Sequence, residues 1–159
     1  MALHLQGINS QVMSILRQEL DSMVRVIYLL HIKDISHRHS LIRALVNGQQ
    51  WTEKGKRKKI TDRDMVDLAQ TLQGWTESVY RFGCAFIHLS SFHDYQDRDP
   101  MDMISESERK DIITHITAYH TAPGGEKFQD LIPLLPMVFD KIASNLEVYL
   151  NDLENGVII

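Results

Sequence analysis

Three long segments of this chain carry apolar residues at alternating steps of three and four residues. That spacing lays an apolar stripe along one side of an α-helix, whereas a half-buried strand needs alternation at every second residue. No segment of the sequence shows a sustained two-residue alternation. We therefore predict an all-α fold, with stripes at residues 13–30, 65–89 and 135–153.

Capping signals predict where several helices begin and end. Thr61 with Asp64, and Ser105 with Glu108, have the three-residue spacing of a capping box. The second stripe predicts one continuous helix from residue 62 to about residue 93, and Pro136 suits the first turn of the last helix. We predict one domain over residues 1–159, an antiparallel bundle of about four main helices plus one short helix at residues 35–47.

Charge and cysteine content indicate where the protein works. Seventeen Lys and Arg against twenty-one Asp and Glu give a net charge of −4, so any contact with nucleic acid needs a local basic patch. Cys84 is the single cysteine, which suits a reducing compartment. We find no signal peptide, and the nearly apolar run at residues 131–139 is too short to cross a bilayer. We expect a soluble, cytoplasmic protein without membrane contact.

Arg81 and His88 are the most suggestive polar pair. They lie seven residues apart, almost two full helical turns, so on one continuous helix both side chains point the same way. Residues 82–92 are apolar nearly all round, which predicts a second covering surface formed by another segment or a second copy of the chain. Gly83 fits such a close approach. Alternatively, Arg81 makes an ordinary ion pair with Glu77, and His88 is a structural residue.

The stretch Arg81-FGCAFI-His88 resembles the Arg-x4–6-His signature of the HEPN superfamily of small all-helical proteins. Arg25 with His31, and Arg109 with His115, match the same spacing, but a six-residue step turns the second side chain by about 120° on a regular helix.

The resemblance implies a metal-independent endoribonuclease, a toxin or defence effector, whose site forms at the cleft of a homodimer. The arginine would hold the phosphate and the histidine would move a proton. Some family toxins carry a tyrosine two residues after the histidine, a pattern that His93 and Tyr95 supply here, so the identity of the acting histidine stays open. RNA, a second copy and a cognate antitoxin are the partners implied.

A short basic loop is the second candidate feature. It could follow a phosphate backbone or be a mobile, solvated loop, and we weigh the two equally. We find no spacing typical of a metal site and expect no cofactor. The basic residues are Lys54, Lys56, Arg57, Lys58 and Lys59.

A non-catalytic function is the alternative. The chain would then be a helical interaction protein, such as an immunity protein, an adaptor or an inactive HEPN module. It would bind a protein partner through its second apolar face.

Overall fold

The computed structural model describes residues 9–87, 99–102, 104–119 and 125–159. Within these ranges the chain is helical apart from turns, loops and one isolated bridge between Thr52 and Lys59, so the predicted all-α class is confirmed. No helix in the described part is long and apolar enough to cross a membrane. The α-helices are α1 (Asn9–His31), α2 (Ile35–Val46), α3 (Asp62–Gln73), α4 (Thr76–Ile87), α5 (Glu106–Tyr119), α6 (Phe128–Leu131) and α7 (Leu135–Glu154); 3-10 turns cover Pro100–Asp102 and Ile132–Leu134.

Helix α1 lies at the centre of the fold and packs against α3, α4 and α7. Its predicted stripe is confirmed, because every member is at most 1% exposed. Burying each such side chain stabilises the fold by about 1.5–3 kcal/mol relative to leaving it in water. The stripe consists of Met13, Leu16, Leu20, Met23, Ile27 and Leu30.

The predicted continuous helix over residues 62–93 is wrong, because the chain turns at Gly74. Gly74 adopts a left-handed conformation (φ +72°) and its N–H donates to the Gln70 carbonyl over 2.9 Å, which ends α3. Glycine accepts this conformation at no steric cost. The apolar stripe shifts accordingly: Leu72 is 50% exposed, whereas Val66 and Ala69 are buried.

The turn folds α4 back toward the start of α3. The Gln70 side-chain oxygen accepts from the Thr76 hydroxyl and the Glu77 N–H, which satisfies the first turn of α4. Arg63 on α3 lies 2.6 Å from a Glu77 oxygen. On a continuous helix these two residues would be about 21 Å apart, out of each other's reach. The turn therefore determines which side chains surround the first residues of α4.

Helix α4 runs antiparallel to α5. Arg81 pairs with Glu108 and Ser78 with His115, so the chain directions of α4 and α5 oppose each other. Just before α4 begins, the Trp75 ring has Lys141 of α7 5.1 Å from its centre. The antiparallel packing of α4 and α5 agrees with the predicted bundle.

The predicted helix starts at Thr61 and Ser105 are confirmed. The Asp64 and Glu108 N–H groups donate to the hydroxyl oxygens of Thr61 and Ser105, and each acidic side chain accepts from the N–H of its partner. Pro136 lies in the first turn of α7, as predicted. These caps place Glu108 at the start of α5.

Arg38 is a buried cation that closes the C-terminus of α1. Arg38 belongs to α2 and is only 2% exposed. The guanidinium donates from Nη2 to the Leu30 and Ile32 carbonyls at 3.2 and 3.0 Å, and from Nε to Ile32 at 3.3 Å. Helix ends leave such carbonyls without helical partners. Arg38 therefore satisfies these carbonyls with a side chain that is itself almost fully buried.

Gly83 packs against the chain's own α1. A β-carbon at this buried position would lie 2.8 Å from Cδ and 3.2 Å from Cβ of Arg17. Arg17 is itself buried, pairs with Asp21, and lies 4.0 Å from the centre of the Tyr80 ring. The sequence allowed either another segment of the same chain or a second copy of the chain to cover this glycine. In the structure, α1 of the same chain covers it.

Gly83→Ala is expected to lower the free energy of unfolding by up to about 2 kcal/mol. Overpacking against Arg17 costs about 1–3 kcal/mol, and it outweighs the roughly 1 kcal/mol that alanine gains over glycine within a helix. Urea unfolding followed by circular dichroism measures the change. The control is the same substitution on an Arg17→Ala background, which removes the Cδ contact and keeps the Cβ contact, so the loss should be smaller there. An equal loss on both backgrounds would contradict the proposed clash.

Candidate functional site

Arg81 is the one predicted catalytic residue that the structure describes. His88, His93 and Tyr95 lie outside the described residues. Arg81 projects from the surface of α4 and its side chain is 47% exposed, so it does not belong to the core around α1.

Two carboxylates hold the Arg81 guanidinium. Nη2 donates to Glu77 over 2.7 Å, as the four-residue spacing predicts, and Nη1 donates to Glu108 over 3.1 Å. Glu77 also accepts from Arg63, which in turn pairs with Asp67. A row of alternating charges therefore runs from α3 across α4 to α5.

Both carboxylates remain ionised at neutral pH. The pKa of Glu77 is lowered, chiefly by its hydrogen bond with Arg63 and further by the charge of Arg81. The pKa of Glu108 is lowered first by its hydrogen bonds with Ser105 and then by Arg81. Glu77 and Glu108 are therefore both negatively charged partners of Arg81 at neutral pH.

A recess of about 140 Å³ lies beside Arg81, between α4 and α5. Its charged side chains are one cation and three carboxylates, so its local field favours cations over a phosphate. In the described part of the chain, no three His, Cys, Asp or Glu side chains come together to hold a metal ion. The recess is lined by Glu77, Ser78, Arg81, Glu108, Asp111 and Ile112.

Ser78 and His115 form a polar pair that sequence reasoning missed. The Ser78 hydroxyl lies 3.0 Å from His115 Nδ1, and Ser78 also lines the recess of Arg81. The sequence spacing suggested a pair of Arg109 with His115. In the structure, the Arg109 side chain donates to the Met101 carbonyl over 2.8 Å. No local pattern signals the Ser78–His115 contact, because the two residues belong to different helices.

Three of the five basic side chains in the predicted RNA-binding loop pair with carboxylates. Lys54 pairs with Asp34, while Lys56 and Lys58 lie 2.6 and 2.9 Å from the two oxygens of Glu53. Within the described residues, Arg57 and Lys59 have no ion-pair partner. The free positive charge of the loop is therefore smaller than the sequence suggests.

Comparisons with protein-family models, with curated proteins and with solved structures found no match for this chain.

Proposed function

We propose that this chain is a HEPN-type, metal-independent endoribonuclease that acts as a homodimer, in the manner of a cytoplasmic toxin or defence effector. The proposal rests on one observation: the Arg81 guanidinium is solvent-exposed, yet two carboxylates fix its position. Arginine has five N–H donors, and the contacts with Glu77 and Glu108 use only some of them. The others are free to bind a phosphate oxygen.

The proposed reaction needs no metal. The 2′-hydroxyl of a ribose attacks the adjacent phosphorus and displaces the 5′-oxygen of the next nucleotide. His88 moves a proton in this step, either from the 2′-hydroxyl or onto the leaving oxygen. Arg81 binds the phosphate and stabilises the charge that builds on its oxygens.

Glu77 and Glu108 are positioning residues in this scheme. They keep the Arg81 guanidinium in one orientation, which lowers the entropy lost when a phosphate binds. Their negative charge also opposes the phosphate, so one Arg81 provides weak binding on its own. A second copy of the chain would add a second Arg81–His88 pair to the same cleft and offset that repulsion.

A non-catalytic interaction protein is the second candidate. The observation that favours it is that the ion pair of Arg81 with Glu108 already joins α4 to α5, which is a sufficient structural role. The C-terminal half of α7 also exposes apolar side chains, with Val148 at 57% and Leu150 at 43%. In that function, a protein partner would cover such side chains.

RNA cleavage in the presence of EDTA tests the proposal. Purified protein is incubated with transfer, ribosomal and messenger RNA, and the cut ends are mapped by primer extension. We expect EDTA to leave the cleavage rate unchanged. The new 3′ ends should carry a 2′,3′-cyclic phosphate or a 2′- or 3′-phosphate. The Arg81→Ala/His88→Ala double variant, purified identically, controls for contaminating nucleases. A folded wild-type protein that cuts no RNA in this panel would exclude the nuclease and leave the interaction protein.

A further inference from the structure

Ser78 lies between the recess of Arg81 and a smaller, apolar cavity, and it lines both. It precedes Arg81 by three residues on α4, a spacing that makes two side chains neighbours on a helix surface. Its hydroxyl lies 3.0 Å from Nδ1 of His115 on α5, within the range of about 2.6–3.2 Å over which a proton passes between two groups. A proton on His115 can therefore reach the recess through the Ser78 hydroxyl.

The surroundings of His115 favour this contact with Ser78. The ring borders a cavity of about 20 Å³ to which α1, α4, α5 and α7 contribute. Among the described residues that line this cavity, Ser78 and His115 are polar and the others are apolar. An apolar wall gives a ring nitrogen no other hydrogen-bond partner on that side, so Nδ1 keeps its contact with the hydroxyl. The apolar members are Leu16, Val79, Ile112, Ile116, Leu135 and Val138.

The proposed cleavage moves two protons, and His88 accounts for one of them. The 2′-hydroxyl loses a proton as it attacks phosphorus, and the leaving 5′-oxygen gains one as its bond to phosphorus breaks. Glu77 and Glu108 line the recess and are both negatively charged at neutral pH. Negative charge nearby raises the energy of a departing oxyanion. The leaving oxygen in this recess therefore needs its proton as it departs.

The partners of Arg81 cannot supply that proton. Hydrogen bonds lower the pKa of Glu77 and of Glu108, so neither carboxyl group carries a proton at neutral pH. Arginine does not release a proton in proteins. Ser78 presents a hydroxyl in the same recess and has a histidine behind it. The Ser78–His115 pair is therefore the source of a proton that lies beside Arg81.

Building on the proposed nuclease, we propose that Ser78 protonates the leaving 5′-oxygen and that His115 replaces the proton that Ser78 gives away. As the bond between phosphorus and the 5′-oxygen breaks, the Ser78 hydroxyl donates its proton to that oxygen. The Ser78 oxygen takes a proton from Nδ1 of the His115 imidazolium, which becomes a neutral imidazole. His88 accepts the proton of the attacking 2′-hydroxyl. The products are a 2′,3′-cyclic phosphate and a 5′-hydroxyl, and water then restores both histidines.

A leaving atom that needs no proton tests the proposal. Two RNAs of one sequence are compared in single-turnover cleavage, and in one of them sulfur replaces the 5′-oxygen at the mapped cleavage site. Sulfur leaves as a thiolate without a proton, because a thiol is a far stronger acid than an alcohol. Ser78→Ala and His115→Gln should each slow cleavage of the ordinary RNA at least about a hundredfold, the usual effect of a general acid. The sulfur RNA should recover most of that loss in both variants.

Three further variants complete the experiment. Arg81→Gln should slow cleavage of both RNAs, because it weakens phosphate binding whichever atom leaves. The Ser78→Ala/His115→Gln double variant should be no slower than either single variant, since the two residues act as a unit. His39→Gln changes an exposed histidine on α2 and should leave both rates unchanged.

Equal slowing of the ordinary and the sulfur RNA in both single variants would give the pair a structural role and overturn the proposal. A wild-type rate on ordinary RNA in either variant would overturn it as well. If one variant does not fold, as judged by circular dichroism, the other decides with the same two RNAs. A wild-type protein that cleaves neither RNA removes the nuclease and this proposal together. Cleavage by the wild type, with variants slowed equally on both RNAs, removes only the role of Ser78 and His115.

Discussion

Replacing Arg81 by glutamine is expected to slow RNA cleavage at least about a hundredfold, because loss of one preorganised donor to a developing oxyanion has about that effect. Glutamine keeps a polar side chain but removes the positive charge that faces the phosphate. The fold should survive, because Arg81 is half exposed and its two ion pairs are screened by solvent; exposed pairs contribute about 0–1 kcal/mol. Single-turnover cleavage of the best RNA substrate measures the effect.

Arg43→Gln is the matched control for this prediction. Arg43 is an exposed arginine on α2, in another helix from the proposed site. Its substitution should leave the cleavage rate unchanged. A rate that drops equally in both variants would mean that the protein only loses general attraction for RNA. A fully active Arg81→Gln protein would remove Arg81 from the mechanism.

Arg38→Met is expected to lower the free energy of unfolding by about 1–3 kcal/mol. The substitution leaves a side chain of similar length but removes the donors to the Leu30 and Ile32 carbonyls. Leu30 keeps one partner, since the Ile159 N–H also donates to its carbonyl over 3.2 Å. The Ile32 carbonyl loses its side-chain donor, and a buried acceptor left without a partner costs about that much. At an m-value of about 2 kcal/mol/M, the urea midpoint should fall by about 0.5–1.5 M.

Two further variants define the origin of this effect. Arg43→Met changes an exposed arginine on the same helix and should shift stability by less than about 0.5 kcal/mol. Arg38→Lys keeps the charge but presents one ammonium in place of a planar fork, so it should recover part of the loss. If Arg38→Met were no more destabilised than Arg43→Met, the buried guanidinium would have no role in closing α1.

Much of the fold follows from local sequence rules. The stripe of α1 is predictable because its six members all face the core, and a helix with one buried side shows the period of 3.6 directly. The starts of α3 and α5 are predictable because a capping box is formed by residues only three positions apart. In both cases the interacting groups are close in sequence.

The bend between α3 and α4 is harder to predict from the sequence. Apolar residues continue at helical spacing through Leu72 and Trp75, so the period alone predicts no interruption at Gly74. What decides the turn is a contact between two helices, since Gln70 satisfies the first N–H groups of α4. At this position, tertiary contacts override the helical spacing of the local sequence.

The surroundings of the candidate residues are the least predictable part. The pair of Arg81 with Glu77 follows from a four-residue spacing, but its pair with Glu108 needs the packing of α5 on α4. The contact of Ser78 with His115 likewise depends on that packing. Arg38 lies in a polar stretch between His37 and His39, and only the approach of α1 makes it a buried cation.

The packing of α7 on α1 has a consequence for synthesis on the ribosome. Helix α7 ends about 120 residues after α1 does, so the stripe of α1 is not fully covered until α7 has been made. At about 5–20 residues per second, that wait is roughly 6–25 s. During this interval the nascent chain presents a long apolar surface to chaperones and to neighbouring chains, and truncation before α7 should yield aggregates in place of a smaller folded protein.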